Sequence, residues 1–377
     1  MAGVAALVLV AVAYVRNGNG GTVDQGQAAG PYAPRHVSDG CGRQSATDPG
    51  NLEIGRPVAR CASGSPAARP LARRATVRVA IPERSEGVAP LLVADALAEF
   101  DAENLRVEIV DMPEAKAYAA LVKGDLDAVV GGIDSPFLDT AISGSGAKLV
   151  MGGPLSRSPG DTAEAQAGLW ATKAALPDLD DWSSITDHAV ATTGGDTSSA
   201  TYPIETIFGQ QELSAASVAF VSTSPDEAVR RLEAGEVSLA WLPEPAAHDM
   251  VGNQSVQLVA TLPASESIEG TVLAPRLLKQ DRPVGLAFVR AMIRTINTHL
   301  ADGYDRRARA VVAEAIDVPE KTLRRAPAPL YDWEIRQGTL TRIQRVYIEL
   351  GSVTYERPLP EIGLVDRSLY EDAVGDG

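Results

Sequence analysis

The stretch LVKGDLDAVVGGIDSPFLD, from Leu121 to Asp139, carries the pattern that decides the fold. It reads as a helix end, a glycine, an acidic residue, a short apolar run, and a polar turn with Pro and a carboxylate. The stretch LEAGEVSLAWLPEPAAHD, from Leu232 to Asp249, repeats that order. Each glycine is typical of a helix C-terminal cap, and each apolar run of a buried strand. The two stretches therefore predict equivalent points in two successive α/β units.

Strand and helix patterns alternate before both stretches. VRVAI (77–81) and LRVEIV (105–110) precede the first, and HAVATT (188–193) and SVAFVS (217–222) precede the second. Such alternation predicts an α/β fold built from parallel βαβ units. Ligands bind at the carboxyl ends of parallel strands, so two facing sheets would bring both polar turns into one cleft. The alternative is that a glycine and an acid only cap two ordinary surface helices.

Composition excludes several classes of protein. The chain has 377 residues, of which 45 % are hydrophobic, enough for a sizeable core. Its formal charge of −15 opposes nucleic acid as a partner, because phosphate binding needs clustered Lys and Arg. The sequence holds no G-x-S-x-G, P-loop or H-E-x-x-H motif, and its Cys and His residues lack metal-site spacing. We therefore expect no cofactor, no metal and no catalysis.

The N-terminal region indicates export. Residues 1–15 contain an apolar run that is short for a bilayer span of about 20 residues, so a signal peptide or a membrane anchor is expected. A buried terminal helix is the alternative. Residues 16–75, rich in Gly, Pro and Arg, predict a flexible arm that stays outside the core. In an oxidising compartment Cys41 and Cys61 would form a disulfide; otherwise they are free thiols.

The order of these segments resembles a known family. VRVAIPE…LAEFDAENLRVEIVDM…LVKGDLDAVVGG…LVMGG, followed by DWSSITDHAVATTGGDTSSATYPIETIFGQQEL and the second stretch, is similar to ABC-transporter substrate-binding proteins of the nitrate/sulfonate/taurine and thiamine-precursor (NMT1-like) type. The resemblance covers roughly Thr76 to Ala373. It implies a two-lobed periplasmic-binding-protein-like (type II) fold, with residues 76–160 and 256–377 in lobe 1 and 161–255 in lobe 2. It also implies delivery of a ligand to a membrane permease.

The candidate ligand residues follow predicted strands or begin predicted helices. They are Glu83, Arg84, Ser85, Gly132, Asp134, Ser135, Asp196, Thr197, Ser198, Tyr202, Trp241 and Glu244. The Gly-Ser/Thr-rich turn at 194–199 and the W-x-x-E-P turn at Trp241 match the resembled family. The alternatives are a solvated loop at 83–85, a simple helix cap at Asp134, and a core role for Trp241.

The charges of these candidates set the expected ligand. Four are acids and only Arg84 is basic, so an anion would need pairing to be buried beside them. We expect a small amine or a neutral polar heterocycle. The sequence thus predicts a monomeric, extracytoplasmic, membrane-tethered binding component of an ABC importer that closes about a hinge. The alternatives are an enzyme on the same scaffold and a ligand sensor that docks a membrane receptor.

Overall fold

A computed structural model of the protein describes residues 58–155, 167–178, 188–261, 267–326 and 328–375, and single residues at 41, 50, 181, 182 and 185. The predicted signal peptide or anchor at 1–15, and most of the predicted arm up to residue 57, lie outside the described residues. Strands are β1 Ala75–Ile81, β2 Leu105–Asp111, β3 Ala128–Gly132, β4 Lys148–Gly152, β5 Pro154–Leu155, β6 Gly168–Thr172, β7 Ala189–Thr192, β8 Ala219–Ser222, β9 Leu239–Leu242, β10 Val256–Thr261, β11 Glu269–Leu273 and β12 Leu330–Tyr331.

Helices cover both sheets. They are α1 Ala89–Ala96, α2 Glu114–Lys123, α3 Ser135–Ile142, α4 Thr201–Gly209, α5 Pro225–Ala234, α6 Ala246–Asp249, α7 Arg282–His299, α8 Arg306–Ala315, α9 Glu320–Leu323, α10 Thr339–Glu349, α11 Glu361–Leu364 and α12 Ser368–Val374. Among these described helices, none has both the length and the apolar character needed to cross a membrane.

Two sheets of five strands share one topology. The first has the order β2-β1-β3-β11-β4 and the second β8-β7-β9-β6-β10. In each, the first three strands are parallel and the fourth is antiparallel to its neighbours. In the second lobe this antiparallel strand, β6, is the first strand of the sheet; in the first lobe it is β11, by which the chain returns from the second lobe. This shared topology is the reason for the repeated sequence pattern.

The repeated stretches occupy matching places in the two lobes. Gly124 ends α2 with φ of 81°, and Gly235 ends α5 with φ of 71°. Only glycine adopts this left-handed conformation at little cost, so it can end each helix and turn the chain back into the sheet. Ser224 caps the start of α5, since its side chain accepts a hydrogen bond from the Glu227 backbone N–H.

One predicted lobe boundary needs correction. Val256–Thr261 pairs with Gly168–Thr172 in the second sheet, although the sequence analysis placed residue 256 onward in the first lobe. The chain returns to the first sheet only at Glu269, where β11 inserts between β3 and β4. Strand periodicity cannot separate these cases, because β10 and β11 are both short apolar strands in adjacent positions along the chain.

The C-terminal helices serve both lobes. α7 packs against α1 and α12 in the first lobe. α10 contacts α4, a second-lobe helix, and also α11 on the first-lobe side. We expected all of these helices to cover the first lobe; α10 instead bridges the two, and this places it beside the cleft.

The predicted arm also needs correction, because its last part belongs to the folded body. The Asn297 side chain accepts a 3.0 Å hydrogen bond from the Cys61 N–H and donates a 2.8 Å bond to the Ser65 carbonyl. Arg290 and Arg294 donate to the carbonyl oxygens of residues 69 and 66. Cys41 is bonded to Cys61 as a disulfide. Residues 58–74 are held by polar contacts, which apolar periodicity does not reveal.

Candidate functional site

A cavity of about 90 Å³ lies where strand ends of both sheets meet. Both lobes contribute to its walls, so it is a cleft between lobes. Its lining residues are Pro82, Glu83, Ser85, Val88, Glu114, Gly131, Gly132, Thr193, Ser198, Ser199, Ala200, Trp241, Pro243, Ile268 and Glu269.

The two repeated stretches meet at this cavity. Gly131 and Gly132 end β3 of the first lobe, and Trp241 and Pro243 stand at the end of β9 in the second. A Cβ atom placed on Gly132 would lie 3.0 Å from both Cβ and Oγ of Ser199, which is a second-lobe residue. The lobes therefore approach each other closely at this glycine, and a larger side chain would separate them.

Three carboxyl groups line the cavity, from Glu83, Glu114 and Glu269. No Lys, Arg or His is found among the described residues that line it. Arg84, the one basic candidate, instead forms a bidentate pair with Asp111, with both N–O distances 2.9 Å. That pair is exposed at the surface, with 40 % of the Arg84 side chain accessible. The cavity is therefore acidic without a counter-charge of its own.

Burial raises the pKa of all three of these carboxyls. The pKa of Glu83 rises to about 7, chiefly because of burial and partly because of Glu114; a hydrogen bond with the Thr193 side chain opposes the rise. Burial likewise raises the pKa of Glu269 to about 7, with further contributions from the charges of Glu83 and Glu114. Thr193 belongs to the second lobe, so its bond with Glu83 joins the lobes across the cleft.

Glu114 and Asp134 form a carboxyl pair at the cavity wall. Glu114 is the first residue of α2, and its carboxyl is close enough to that of Asp134 for the two groups to act on each other's pKa. Asp134 is fully buried and caps α3, accepting a 2.9 Å hydrogen bond from the Phe137 N–H. Burial and the neighbouring Glu114 raise the pKa of Asp134 well above its usual range. Such a pair cannot ionise twice without cost.

A further buried carboxyl, that of Glu86, lies beside the lining residues Ser85 and Val88. Burial raises the pKa of Glu86 to about 8, and a hydrogen bond from Tyr304 opposes the rise. The Tyr304 hydroxyl donates to Glu86 Oε1 at 2.6 Å, and the Tyr331 hydroxyl donates to the Glu86 carbonyl at 2.7 Å. Glu244, from the second lobe, also raises this pKa through its charge. The acidic character thus extends behind the cavity wall.

The structure brings together some of the predicted ligand residues. Glu83, Ser85, Gly132, Ser198 and Trp241 line the cavity. Asp134 lies behind Glu114, and Ser135 is the buried first residue of α3.

The other candidates lie elsewhere. Arg84 and Thr197 are outside the lining, and Tyr202 is buried in the core. Asp196 is exposed and lines a separate cavity of about 350 Å³ next to the end of α10. Glu244 is buried and accepts a hydrogen bond from the His248 N–H. These placements do not by themselves assign a ligand role to any of the predicted residues.

Sequence reasoning missed Glu114, Thr193 and Glu269. Glu114 follows strand β2 and Thr193 follows β7, so the rule that ligands bind at carboxyl ends of strands could have found both. Glu269 was not accessible to that rule. It begins β11, and because β11 is antiparallel, its amino end lies beside the carboxyl ends of the parallel strands.

The described residues contain no group of three or more His, Cys, Asp or Glu side chains placed to hold a metal ion. The site offers carboxyl groups, Ser and Thr hydroxyls that can donate or accept, backbone exposed at glycines, and one indole ring. This combination suits recognition of a small polar molecule with donor groups.

Two α/β lobes of matched topology around an interlobe cleft define a periplasmic-binding-protein-like (type II) fold.

No protein-family model and no curated protein sequence matches the chain. Solved structures, in contrast, are similar to the chain. A ligand-binding component of an ABC-type import system from Staphylococcus aureus, with zinc bound, is 16 % identical with a TM-score of 0.63 over 80 % of this chain and 99 % of its own. The alkanesulfonate-binding protein SsuA from Xanthomonas axonopodis pv. citri, bound to MOPS, is 14 % identical with a TM-score of 0.57 over 78 % and 100 %.

An enzyme shares the same fold. The desulfurization enzyme DSZB is 13 % identical, with a TM-score of 0.54 over 80 % of this chain and 99 % of its own. At these identities the likeness establishes the fold alone, which the import binding proteins and the desulfurization enzyme have in common. The activity must be argued from the site.

Proposed function

We propose that the protein is the extracytoplasmic substrate-binding component of an ABC importer, and that it captures a small organic amine or a polar heterocycle between its lobes. The single observation that carries the ligand class is the cavity lining, which has three carboxyl groups and, among described residues, no base. A protonated amine or a heterocyclic N–H would satisfy these acceptors. A bound anion would lie beside like charges at a cost of several kcal/mol.

Capture by hinge closure follows from where the walls originate. Glu83 and Gly132 come from the first lobe, and Thr193 and Ser199 from the second. A ligand that touches both sets favours the closed state, because only that state offers all of its contacts. The closed monomer would then dock on a membrane permease. Attachment to the membrane through residues 1–15 is part of this proposal.

The test is direct. Protein purified without refolding is examined by native mass spectrometry for a co-purifying molecule, and then by calorimetry with panels of amines, heterocycles and alkanesulfonates. We expect one amine or heterocycle to bind with one-to-one stoichiometry and to be recovered unchanged. Selective binding of a sulfonate would overturn the ligand class.

An enzyme is the second candidate, because the desulfurization enzyme has the same fold at comparable coverage. Incubating the bound molecule with the protein and analysing it by mass spectrometry separates the two. Conversion of that molecule in successive turnovers would favour the enzyme.

A further inference from the structure

The geometry of the Glu114–Asp134 pair requires a proton. Asp134 Oδ1 accepts the hydrogen bond that caps α3, but Asp134 Oδ2 is buried without a protein donor. The neighbouring charged group is the Glu114 carboxyl, whose charge raises the pKa of Asp134 and whose Oε1 lies 3.1 Å from where a Cβ on Gly132, two residues before Asp134, would sit. Two ionised carboxylates have only acceptors, so a hydrogen bond between them exists only when one carries a proton.

Among the residues that the structure describes, no basic group is found to act on the pair. The titratable groups that face the pair are Glu83 and Glu269, and the phenols of Tyr118 and Tyr347. The Tyr347 hydroxyl donates to the Ser198 carbonyl at 2.7 Å, and the Tyr118 hydroxyl lies 3.5 Å from the Gly132 carbonyl. Both phenols are therefore directed at backbone oxygens. The carboxyls on either side add only negative charge.

We infer that Glu114 and Asp134 share one proton while the cleft holds no cation, and that a cationic ligand group replaces this proton against Glu114. This inference rests on the proposed function for its ligand class. The exchange balances: the pair with one proton and a cation in solution become the doubly ionised pair with its bound cation and one proton released to solvent. The net charge of the pair with whatever it binds, a proton or the cation, is −1 before and after the exchange, so no additional charge is buried.

The position of Glu114 makes it the residue that selects ligand charge. Its Oε1 lies 3.1 Å from where a Cβ on Gly132 would sit, and its Oε2 lies 3.6 Å from the equivalent point on Gly194. Gly132 belongs to the first lobe and Gly194 to the second. A cation held by this carboxylate therefore lies at the junction of the lobes, where it can act on closure. A neutral ligand would leave the proton in place.

The first test needs no ligand. Net charge is compared near pH 7 by native capillary electrophoresis for wild type, Asp134→Asn, Glu114→Gln and the exposed control Asp125→Asn. If the pair shares a proton, it carries one negative charge in wild type and in either pair variant, so both variants migrate like wild type. Asp125→Asn should differ by one charge. Asparagine is as good an N-cap as aspartate, so Asp134→Asn keeps the cap of α3. A one-charge difference in both pair variants would overturn the shared proton.

The second test measures the exchange. Choline and other quaternary ammonium ions carry no titratable proton, so any proton released on binding comes from the protein. Calorimetry of a binding quaternary ammonium in two buffers of different ionisation enthalpy near pH 7 should give about one proton more from wild type than from Glu114→Gln, because Glu83 and Glu269, whose pKa is about 7, release protons in both. Equal release from the two proteins would overturn the exchange but leave the proposed function intact. If no cation in the panel binds, the proposed ligand class fails, while the electrophoretic result still decides the shared proton.

Discussion

The phenol of Tyr347 on α10 donates a 2.7 Å hydrogen bond to the backbone carbonyl of Ser198, in the second-lobe turn that lines the cleft. Tyr347 is fully buried. Tyr347→Phe keeps the ring but removes one of two donors to that carbonyl, since the Thr201 N–H also donates to it at 3.0 Å. The free energy of unfolding should therefore fall by about 0.5–1.5 kcal/mol, the net contribution of one hydrogen bond. Urea denaturation of wild type and variant measures this difference in the free energy of unfolding. The control is Tyr355→Phe: the half-buried Tyr355 donates its hydroxyl to Oε1 of the buried Gln344, which also accepts from the Leu359 N–H. An equal or larger loss in the control would show that the Tyr347 bond contributes little.

Gly132→Ala should hold the lobes apart. The added methyl group would meet Ser199 of the second lobe at 3.0 Å, closer than ordinary contact. We expect a larger radius of gyration in small-angle scattering and weaker ligand binding, with the fold retained. Gly209→Ala is the matched control, since a Cβ there meets nothing within 4 Å. Identical scattering from the two variants would argue against close lobe contact at Gly132.

Stability of the ligand-free protein should fall as pH rises from about 5 to 8. Burial raises the pKa of Glu83 and Glu269 to about 7 and that of Glu86 to about 8, from an ordinary value of 4.5. Across this interval the native state therefore binds more protons than the unfolded state, and the free energy of unfolding decreases with pH. Urea midpoints at several pH values measure the slope, which Glu86→Gln should reduce. Stability that increased over the same interval would contradict these assignments.

Affinity for a cationic ligand should rise with pH over the same interval, because the carboxyl groups that bind the cation must first lose their protons. Glu269→Gln removes one of them and should weaken binding of the cationic ligand found in the amine panel by about 1–3 kcal/mol. Glu236→Gln is the control, since Glu236 is exposed and outside the cavity lining. Titration calorimetry near pH 8 makes the comparison. A loss shared by both variants would assign the effect to overall charge.

Truncation should show whether residues 58–74, which contact the folded body, contribute to stability. Chains that begin at Val58 and at Thr76 both lack the disulfide, but only the longer one keeps the carbonyl oxygens bonded to Arg290 and Arg294. The chain from Thr76 also leaves the Asn297 side chain without Cys61 and Ser65. Each partner lost by a buried polar group costs about 1–3 kcal/mol, so the shorter chain should unfold at lower urea. Equal midpoints would restore the expectation of a free arm.

Much of the architecture could be predicted because it depends on local rules. The caps at Gly124 and Gly235 and the strands before the two polar turns lie where periodicity places them. The assignment of β10 to the second sheet could not be predicted, since pairing depends on neighbours distant in sequence.

The candidate site could likewise be predicted only in part. Glu83 follows β1 and Gly132 ends β3, and both line the cavity as strand ends predict. Glu269 lies on an antiparallel strand, whose direction local patterns do not give. Arg84 seemed the natural cation of the site, yet its partner Asp111 ends the neighbouring strand β2 and draws it to the surface. A sequence shows which charges exist but not which of them neutralise each other.

The insertion of β11 between β3 and β4 has a consequence for synthesis. The second sheet comes from one uninterrupted length of chain, Gly168 to Thr261, whereas the first needs residues from both sides of it. On the ribosome, β3 and β4 have no common neighbour until Leu273 has emerged. The second lobe, although later in the sequence, is therefore complete first, and the edge of β3 stays unpaired meanwhile. The half of the molecule that is begun first is the one that a nascent chain finishes last.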